Sequence, residues 1–224
     1  MLDLSVIVSN LRFLLVQGFL GIGGFAGGTL RLAVPAIGLG LLLGIVVGVA
    51  RLSRHVWVRW PATMYVEFFR GVPLVMVIFW FWFIIPQLLR LPIPEYGVAL
   101  TAFVIFEAAY FGEIVRAGVQ SVPRGQVEAA SAVGLTQGQV LRYVVLPQAL
   151  RNMVPALVTQ MIVLFKDTSL ASIIGYVDLT KAAQIVNNRE IRPFELYLFI
   201  AVVYWVCTYT MSRLARRFEP STVR

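Results

Sequence analysis

Four ionisable side chains interrupt stretches of the chain that are otherwise apolar: Arg70, Glu107, Lys166 and Asp167. Each such charge at the centre of a lone membrane helix costs about 2.5–3.5 kcal/mol, so the four in lipid would cost on the order of 10 kcal/mol. We therefore expect them to face protein or water. Ionisable groups inside a membrane commonly line the path of a polar ligand, and internal ion pairs are the alternative.

Two of these side chains have complementary chemistry. The planar guanidinium of Arg70 could clamp a ligand carboxylate, with a salt bridge to Glu67 or Glu107 as the alternative. Glu107, with Tyr110 one turn further along the same helix face, suits a ligand ammonium. Its alternative is a structural pairing with Arg70 or Lys166.

Lys166, Asp167, Thr168 and Ser169 form the run KDTS inside an apolar stretch. Asp, Thr and Ser are helix-capping residues, so we expect the helix to break and restart here. Discontinuous helices of transporters offer backbone N–H groups to a ligand in this way. A simple kink with Asp167 paired to Lys166 is the alternative.

These residues need long apolar helices to position them, and the composition supplies them. The chain is 59% apolar and 13% charged, with a mean hydropathy of +0.82, which is far from an average soluble domain. About 20 apolar residues span a bilayer core as a helix. We predict an all-α polytopic membrane protein with five transmembrane helices, at 33–50, 71–89, 96–112, 152–175 and 196–212.

The first 28 residues are apolar but contain Arg12 and the glycine-rich run GIGGFAGG. Glycine weakens a helix by roughly 1 kcal/mol relative to alanine. Asp3 stands where a signal peptide would have basic residues. We predict an interfacial or half-inserted segment at 1–28 rather than a sixth span or a cleaved leader.

The formal net charge is +8, and the positions of the cations along the chain indicate the membrane topology. Most cations fall between the first two predicted spans, between the third and fourth, and in the tail at 216–224. The positive-inside rule then places the N-terminus outside and the C-terminus in the cytoplasm. A nucleic-acid surface would need a soluble basic face, which this pattern does not provide. The lone His55 and Cys207 have no neighbours that would suggest a metal site.

The cytoplasmic stretch between the third and fourth predicted spans contains signals for two short helices. The run RGQVEAASAV follows Pro123, and Gly134 stands where a left-handed C-cap needs glycine. Thr136 and Gln139 have the spacing of a capping box for the second helix. We predict that this helix ends at Leu146–Pro147, because proline cannot continue the hydrogen-bond ladder.

One face of the first short helix is unusually small and smooth, because Ala129 and Ala130 stand together on it. Helices that lie on membranes prefer Trp, Phe and Leu. This face therefore favours insertion into a groove of another protein. Further up the chain, Glu113 and Arg116 are spaced as an i,i+3 pair and are expected to be structural.

The run EAASAVGLTQGQVLRYVVLP at 128–147 resembles the EAA motif of permease subunits in binding-protein-dependent ABC importers. The matching residues are Glu128, Ala129, Ala130, Gly134, Leu146 and Pro147, and Val144 replaces the usual isoleucine. The runs FFRGVPLVM, EAAYFGEIVRAGVQSVPRGQ and FKDTSLASIIG, at 68–76, 107–126 and 165–175, extend the resemblance over residues 29–215. Together they look like the polar amino-acid branch, and most like its glutamate/aspartate permeases.

The resemblance implies a type I ABC importer permease fold over 29–215, with 121–147 as a coupling-helix loop. It implies import of a polar amino acid across the bacterial cytoplasmic membrane, with glutamate or aspartate as the expected substrate and histidine, arginine or glutamine as alternatives. Implied partners are a dimer of ABC ATPases, a second permease subunit (identical or paralogous) and a periplasmic or extracellular amino-acid-binding protein.

The chain lacks the Gly-rich phosphate loop that ends in Lys-Ser/Thr, so we expect ATP and Mg²⁺ on the ATPase chain and no cofactor in this one. A passive channel and a membrane-embedded enzyme are remote alternatives. The enzyme would need a catalytic constellation at membrane depth. The predicted spans contain no histidine, and their only lysine is next to Asp167.

Overall fold

The computed structural model describes residues 4–22, 27–90 and 92–216, and the regular elements in these ranges are helices. In chain order they are α1 (Ser5–Arg12) with a π-helical continuation (Phe13–Leu20), α2 (Thr29–Arg51), α3 (Val56–Gly71), α4 (Leu74–Leu89), α5 (Glu95–Gln120), α6 (Arg124–Ala132), α7 (Gln137–Val140), a π-helical segment (Leu141–Val145), α8 (Leu146–Asp167), a 3-10 segment (Thr168–Ile174), α9 (Leu179–Glu190) and α10 (Pro193–Ala215). Most of the predicted tail at 216–224 and part of the run GIGGFAGG lie outside the described residues.

Four of the described helices are long and apolar enough to cross a membrane: Thr29–Arg51, Glu95–Gln120, Gln137–Ile174 and Pro193–Ala215. The pair Val56–Gly71 and Leu74–Leu88 passes the same test together and provides a fifth span if it counts as one. The all-α fold with five transmembrane helices is therefore confirmed.

The second span differs from the predicted range 71–89, because the structure has a further helix, α3, directly before it. α3 packs against α2 and α5, with Val66 fully buried and the Tyr65 hydroxyl donating to the carbonyl of Ile105. These tertiary contacts were not readable from the sequence. α3 and α4 are bent by 104° at Val72, which is extended because it precedes Pro73.

The packing of α2 against α5 forms the centre of the bundle. Gly40, Gly44 and Gly48 are buried on one face of α2. A Cβ atom on Gly44 would lie 2.5 Å from the Cβ of Phe111, and one on Gly48 would lie 2.7 Å from the carbonyl oxygen of Gly112. The glycines therefore allow the two helix backbones to approach closely, as small residues do in membrane bundles.

The N-terminal helix Ser5–Leu20 is shorter than a full span and packs inside the bundle. Val6 and Leu14 are buried in a cluster with residues of α9 and α10. A Cβ on Gly18 would lie 2.6 Å from that of Ala182. The helix is thus a packed element, and its depth in the bilayer stays a prediction.

Candidate functional site

The carboxylate of Glu113 on α5 gathers arginines from three helices. Arg116 binds it bidentately, with Nε 3.1 Å from Oε2 and Nη2 on Oε1. Arg51 from α2 donates to Oε2, and Nη1 of Arg70 on α3 lies 3.8 Å from Oε1. The predicted Glu113–Arg116 pair is therefore present, and it belongs to a larger cluster that ties α2, α3 and α5 together.

Arg70 lies at the edge of this cluster. Its side chain is 45% exposed, and its guanidinium carbon lies 5.7 Å from the centre of the Tyr110 ring. The sequence suggested Glu67 or Glu107 as the ion-pair partner of Arg70. The structure instead pairs Arg70 with Glu113, which lies one turn beyond Tyr110 on α5. The structure places Arg70 beside Tyr110, a contact that the sequence did not predict.

Glu107 is fully buried in the core of the bundle. Its Oε2 accepts a hydrogen bond of 2.9 Å from Nε2 of Gln160 on α8, and its Oε1 has no hydrogen-bond partner within residues 4–22, 27–90 and 92–216. The partner is thus an amide, and not Arg70 or Lys166. Gln160 was missed at the sequence level, although it is a polar residue in an apolar run, two turns before Asp167 on the same helix face.

The prediction that the helix breaks and restarts at the KDTS run is wrong. α8 ends at Asp167 and tightens into the 3-10 segment from Thr168 without leaving helical backbone angles. The buried Thr168 hydroxyl donates to the carbonyl of Phe165 at 2.7 Å, so it supports the helix instead of capping a new one. Lys166 is exposed, and Asp167 and Ser169 are half-buried.

The structure brings most of the predicted path residues into one region. Tyr110 lies within electrostatic reach of Arg70, Glu107 and Asp167. These side chains come from α3, α5 and α8, so a bundle of three helices frames them. The arrangement offers both signs of charge to a small polar ligand.

The 3-10 segment is anchored beyond its end by a buried polar group. The Tyr176 hydroxyl donates to the carbonyl of Gly28 at 2.8 Å. Asp178 caps α9 by accepting from the N–H groups of Thr180 and Lys181, and it accepts from the Tyr204 hydroxyl at 3.2 Å. Burial raises the pKa of the Asp178 carboxyl to about 6, against the opposing effect of these hydrogen bonds.

The segment 121–147 contains the expected glycine turn and capping box. Gly134 has φ +87°, a left-handed conformation that favours glycine. The Thr136 hydroxyl accepts from the backbone N–H of Gln139, whose side chain accepts from the Thr136 N–H. The two short helices are therefore set by local signals, as predicted.

Two expectations about this segment are wrong. The second helix does not end at Leu146–Pro147, because the π-helical segment pairs Leu146 N–H with the carbonyl of Leu141 and the helix continues into α8. Pro147 lies in the first turn of α8, where a missing N–H is tolerated. Ala130 is 8% exposed and packs inward, whereas Glu128 and Ala129 are exposed. The exposed face of this helix therefore includes Ala129 but not Ala130.

Among the described residues, no group of three or more His, Cys, Asp or Glu side chains is placed to hold a metal ion. The site consists of hydrogen-bonding and charged groups.

Comparisons with known proteins agree with this architecture. Residues 40–224 match the family described as "Binding-protein-dependent transport system inner membrane component". The glutamate/aspartate import permease protein GltK of Escherichia coli O157:H7 is 43% identical over 201 residues, which cover 87% of this chain and 90% of that protein. The probable glutamine ABC transporter permease protein GlnP of Bacillus subtilis strain 168 is 38% identical over 195 residues, 85% of this chain and 88% of that one.

A solved structure is also similar over nearly the full length. It is described as a crystal structure of an amino acid ABC transporter with histidines. Its TM-score is 0.89 at 34% sequence identity, and the alignment covers 98% of each chain.

Proposed function

The chain belongs to the family of binding-protein-dependent transport system inner membrane components and is a membrane permease subunit of an amino-acid ABC importer, and we propose that it imports glutamate and aspartate. The observation that carries this substrate assignment is the 43% identity to a glutamate/aspartate import permease. As a transport subunit, it is not itself an enzyme.

The path residues suit a dicarboxylic amino acid. Such a ligand has two carboxylates and one ammonium. The half-exposed guanidinium of Arg70 and the ammonium of Lys166 supply cations for the carboxylates, and Glu107 has an oxygen without a partner for the ammonium. Tyr110, Asp167, Thr168 and Ser169 complete the proposed path.

A basic amino acid is the second candidate, and the two neighbouring carboxyl groups of the path favour it. Glu107 is fully buried, and Asp167 lies within its electrostatic reach. A histidine or arginine side chain could pair with both. The similar solved transporter contains histidines, and glutamine, named for another relative, is a third possibility.

We propose that the segment 121–147 couples the permease to a cytoplasmic ATPase. The exposed residues Glu128, Ala129 and Gly134 would form the docking face, together with the first turn of α8 at Leu146 and Pro147. ATP and Mg²⁺ would be bound by an ATPase dimer. A second permease, identical or paralogous, would close the path, and an amino-acid-binding protein would deliver the ligand on the outer side.

We further propose a location in the bacterial cytoplasmic membrane with the N-terminus outside. The basic residues at the ends of α2, α5 and α10 and in the segment 121–147 support this topology. Cysteine labelling at Ser5 and at Ser131 from either side of the membrane would test it. Ser5→Cys should react with an impermeant reagent from outside and Ser131→Cys only from inside.

The substrate assignment is tested by competition. Cells that express the importer take up labelled glutamate in the presence of an excess of one unlabelled amino acid. Aspartate should abolish the uptake, whereas histidine, arginine and glutamine should leave it unchanged. Inhibition by histidine or arginine but not aspartate would move the protein to the basic branch.

A further inference from the structure

We infer that Gln160 is a positioning residue that holds the Glu107 carboxylate with one oxygen free to bind the ammonium of the transported amino acid; this inference rests on the proposed function. No pattern in the sequence motifs singled out Gln160. The role follows from one hydrogen bond, one unsatisfied atom and the burial around them.

The hydrogen bond fixes one half of the carboxylate. Nε2 of Gln160 donates to Oε2 of Glu107 at 2.9 Å, across two helices and 53 residues of sequence. The Glu107 carboxylate can rotate about its side-chain bonds, and a hydrogen-bond donor at one of its oxygens favours one orientation. Gln160 therefore determines where Oε1 points.

The other half is left unsatisfied. Among the described residues, no group donates a hydrogen bond to the buried Oε1 of Glu107. A buried acceptor without a donor is costly, and a carboxylate can accept several hydrogen bonds. Each unpaired polar group in a folded protein calls for an explanation, and we assign this one to the ligand. A ligand ammonium has three N–H donors and a positive charge. It could therefore donate a hydrogen bond to Oε1 and balance the charge of the carboxylate.

α2 lies close to the stem of the Glu107 side chain, because a Cβ atom on Gly40 would lie 3.4 Å from the Cβ of Glu107. Gln160 is half-buried whereas Glu107 is fully buried. The amide therefore lies on the more accessible side of the pair, from which we expect a ligand to approach.

The experiment replaces the amide donor without changing its size. The assembled importer is reconstituted in proteoliposomes with its binding protein, and the glutamate translocated per ATP hydrolysed is measured. Gln160→Met should lower this ratio about tenfold, the effect expected for losing one charge-assisted hydrogen bond. Binding-protein-stimulated ATP hydrolysis and membrane abundance should persist. Thr159→Val is the matched control, because Thr159 is exposed and bonds only to the carbonyl of Pro155 in its own helix.

A double variant separates positioning from a general structural role. If Gln160 acts through Glu107, Glu107→Gln combined with Gln160→Met should transport no worse than Glu107→Gln alone. Additive losses, or a Gln160→Met importer with the wild-type ratio, would overturn the inference. Gln160→Leu, also without a donor, should reproduce the loss. If Glu107→Gln itself leaves transport unchanged, the proposed path fails and the inference fails with it.

Discussion

The ionisable residues inside this protein fall into two groups with different surroundings. Glu113 is shared by Arg51, Arg70 and Arg116, so that its charge is neutralised by three cations. Within the described part of the chain, the hydrogen-bond partner of Glu107 is the Gln160 amide. The first group joins helices, and the second leaves an unsatisfied oxygen on the proposed path.

Arg70 belongs to the first group and lies over the Tyr110 ring, and it gives the prediction at this scale. Arg70→Ala should reduce glutamate and aspartate uptake at least tenfold, because the substrate carboxylate would lose its cation. The fold should be affected by less than about 1 kcal/mol, because Arg70 is the most exposed and most distant partner of Glu113 and such pairs contribute little. Uptake and the thermal midpoint of the purified complex measure the two effects.

A control keeps the charge change and moves it away from the path. Arg213→Ala removes an exposed arginine at the end of α10 that bonds to Tyr209 of the same helix, and it should transport normally. Wild-type uptake by Arg70→Ala would make Arg70 a structural residue.

At the scale of single elements, the segment 121–147 is the part whose geometry depends on local chemistry. Gly134 separates α6 from α7, and a side chain there would meet no neighbouring atoms. Its only constraint is the positive φ angle. The relative orientation of the two short helices therefore depends on the backbone of one glycine.

Gly134→Val should uncouple ATP hydrolysis from transport while the protein still inserts. A β-branched residue adopts positive φ only at a cost, so the angle between α6 and α7 should change. Transport in proteoliposomes should fall at least tenfold at normal membrane abundance. Gly138→Val is the control, since Gly138 also has open space around it but an ordinary helical conformation. Equal transport by both variants would contradict the coupling role of this turn.

The same segment shows what the sequence could and could not predict. The turn at Gly134 and the Thr136–Gln139 box depend on residues within three positions, and both were predicted correctly. The passage of the helix through Pro147 depends on a π-helical turn, for which the sequence has no clear signal. Arg70–Glu113 and Gln160–Glu107 join residues 43 and 53 positions apart, and such pairings follow from the packed bundle alone.

At the scale of the whole molecule, α2 and α5 form the framework on which the path residues stand. Glu107, Tyr110 and Glu113 all project from α5, and the glycine face of α2 fixes that helix. The N-terminal helix, α9 and α10 form a second cluster, and the short helices of the segment 121–147 form a third with the end of α5 and the start of α8. α5 contributes to the central and the third cluster and so connects the proposed path with the segment proposed for coupling.

The framework predicts different tolerance at two glycines of the same helix. Gly44→Val should destabilise the protein by about 1–3 kcal/mol, the usual cost of overpacking, because its Cβ would collide with Phe111. Gly38→Val should have little effect, because nothing lies within 4 Å of the added atom. Thermal unfolding of the detergent-solubilised protein measures the stability of both variants. The readout is the fraction of protein that stays monodisperse at each temperature. A Gly44→Val protein as stable as Gly38→Val would contradict the close α2–α5 packing.

We propose that this chain is a permease subunit of an ATP-driven importer for acidic amino acids, and transport by the reconstituted complex is the measurement that decides it. Proteoliposomes contain the permease with its ATPase, and the loaded binding protein is added outside with ATP enclosed. We predict accumulation of labelled glutamate and aspartate that stops without ATP or without the binding protein. Glutamate flux that needs neither, or ATP-driven uptake of histidine or arginine with no uptake of glutamate, would contradict the account.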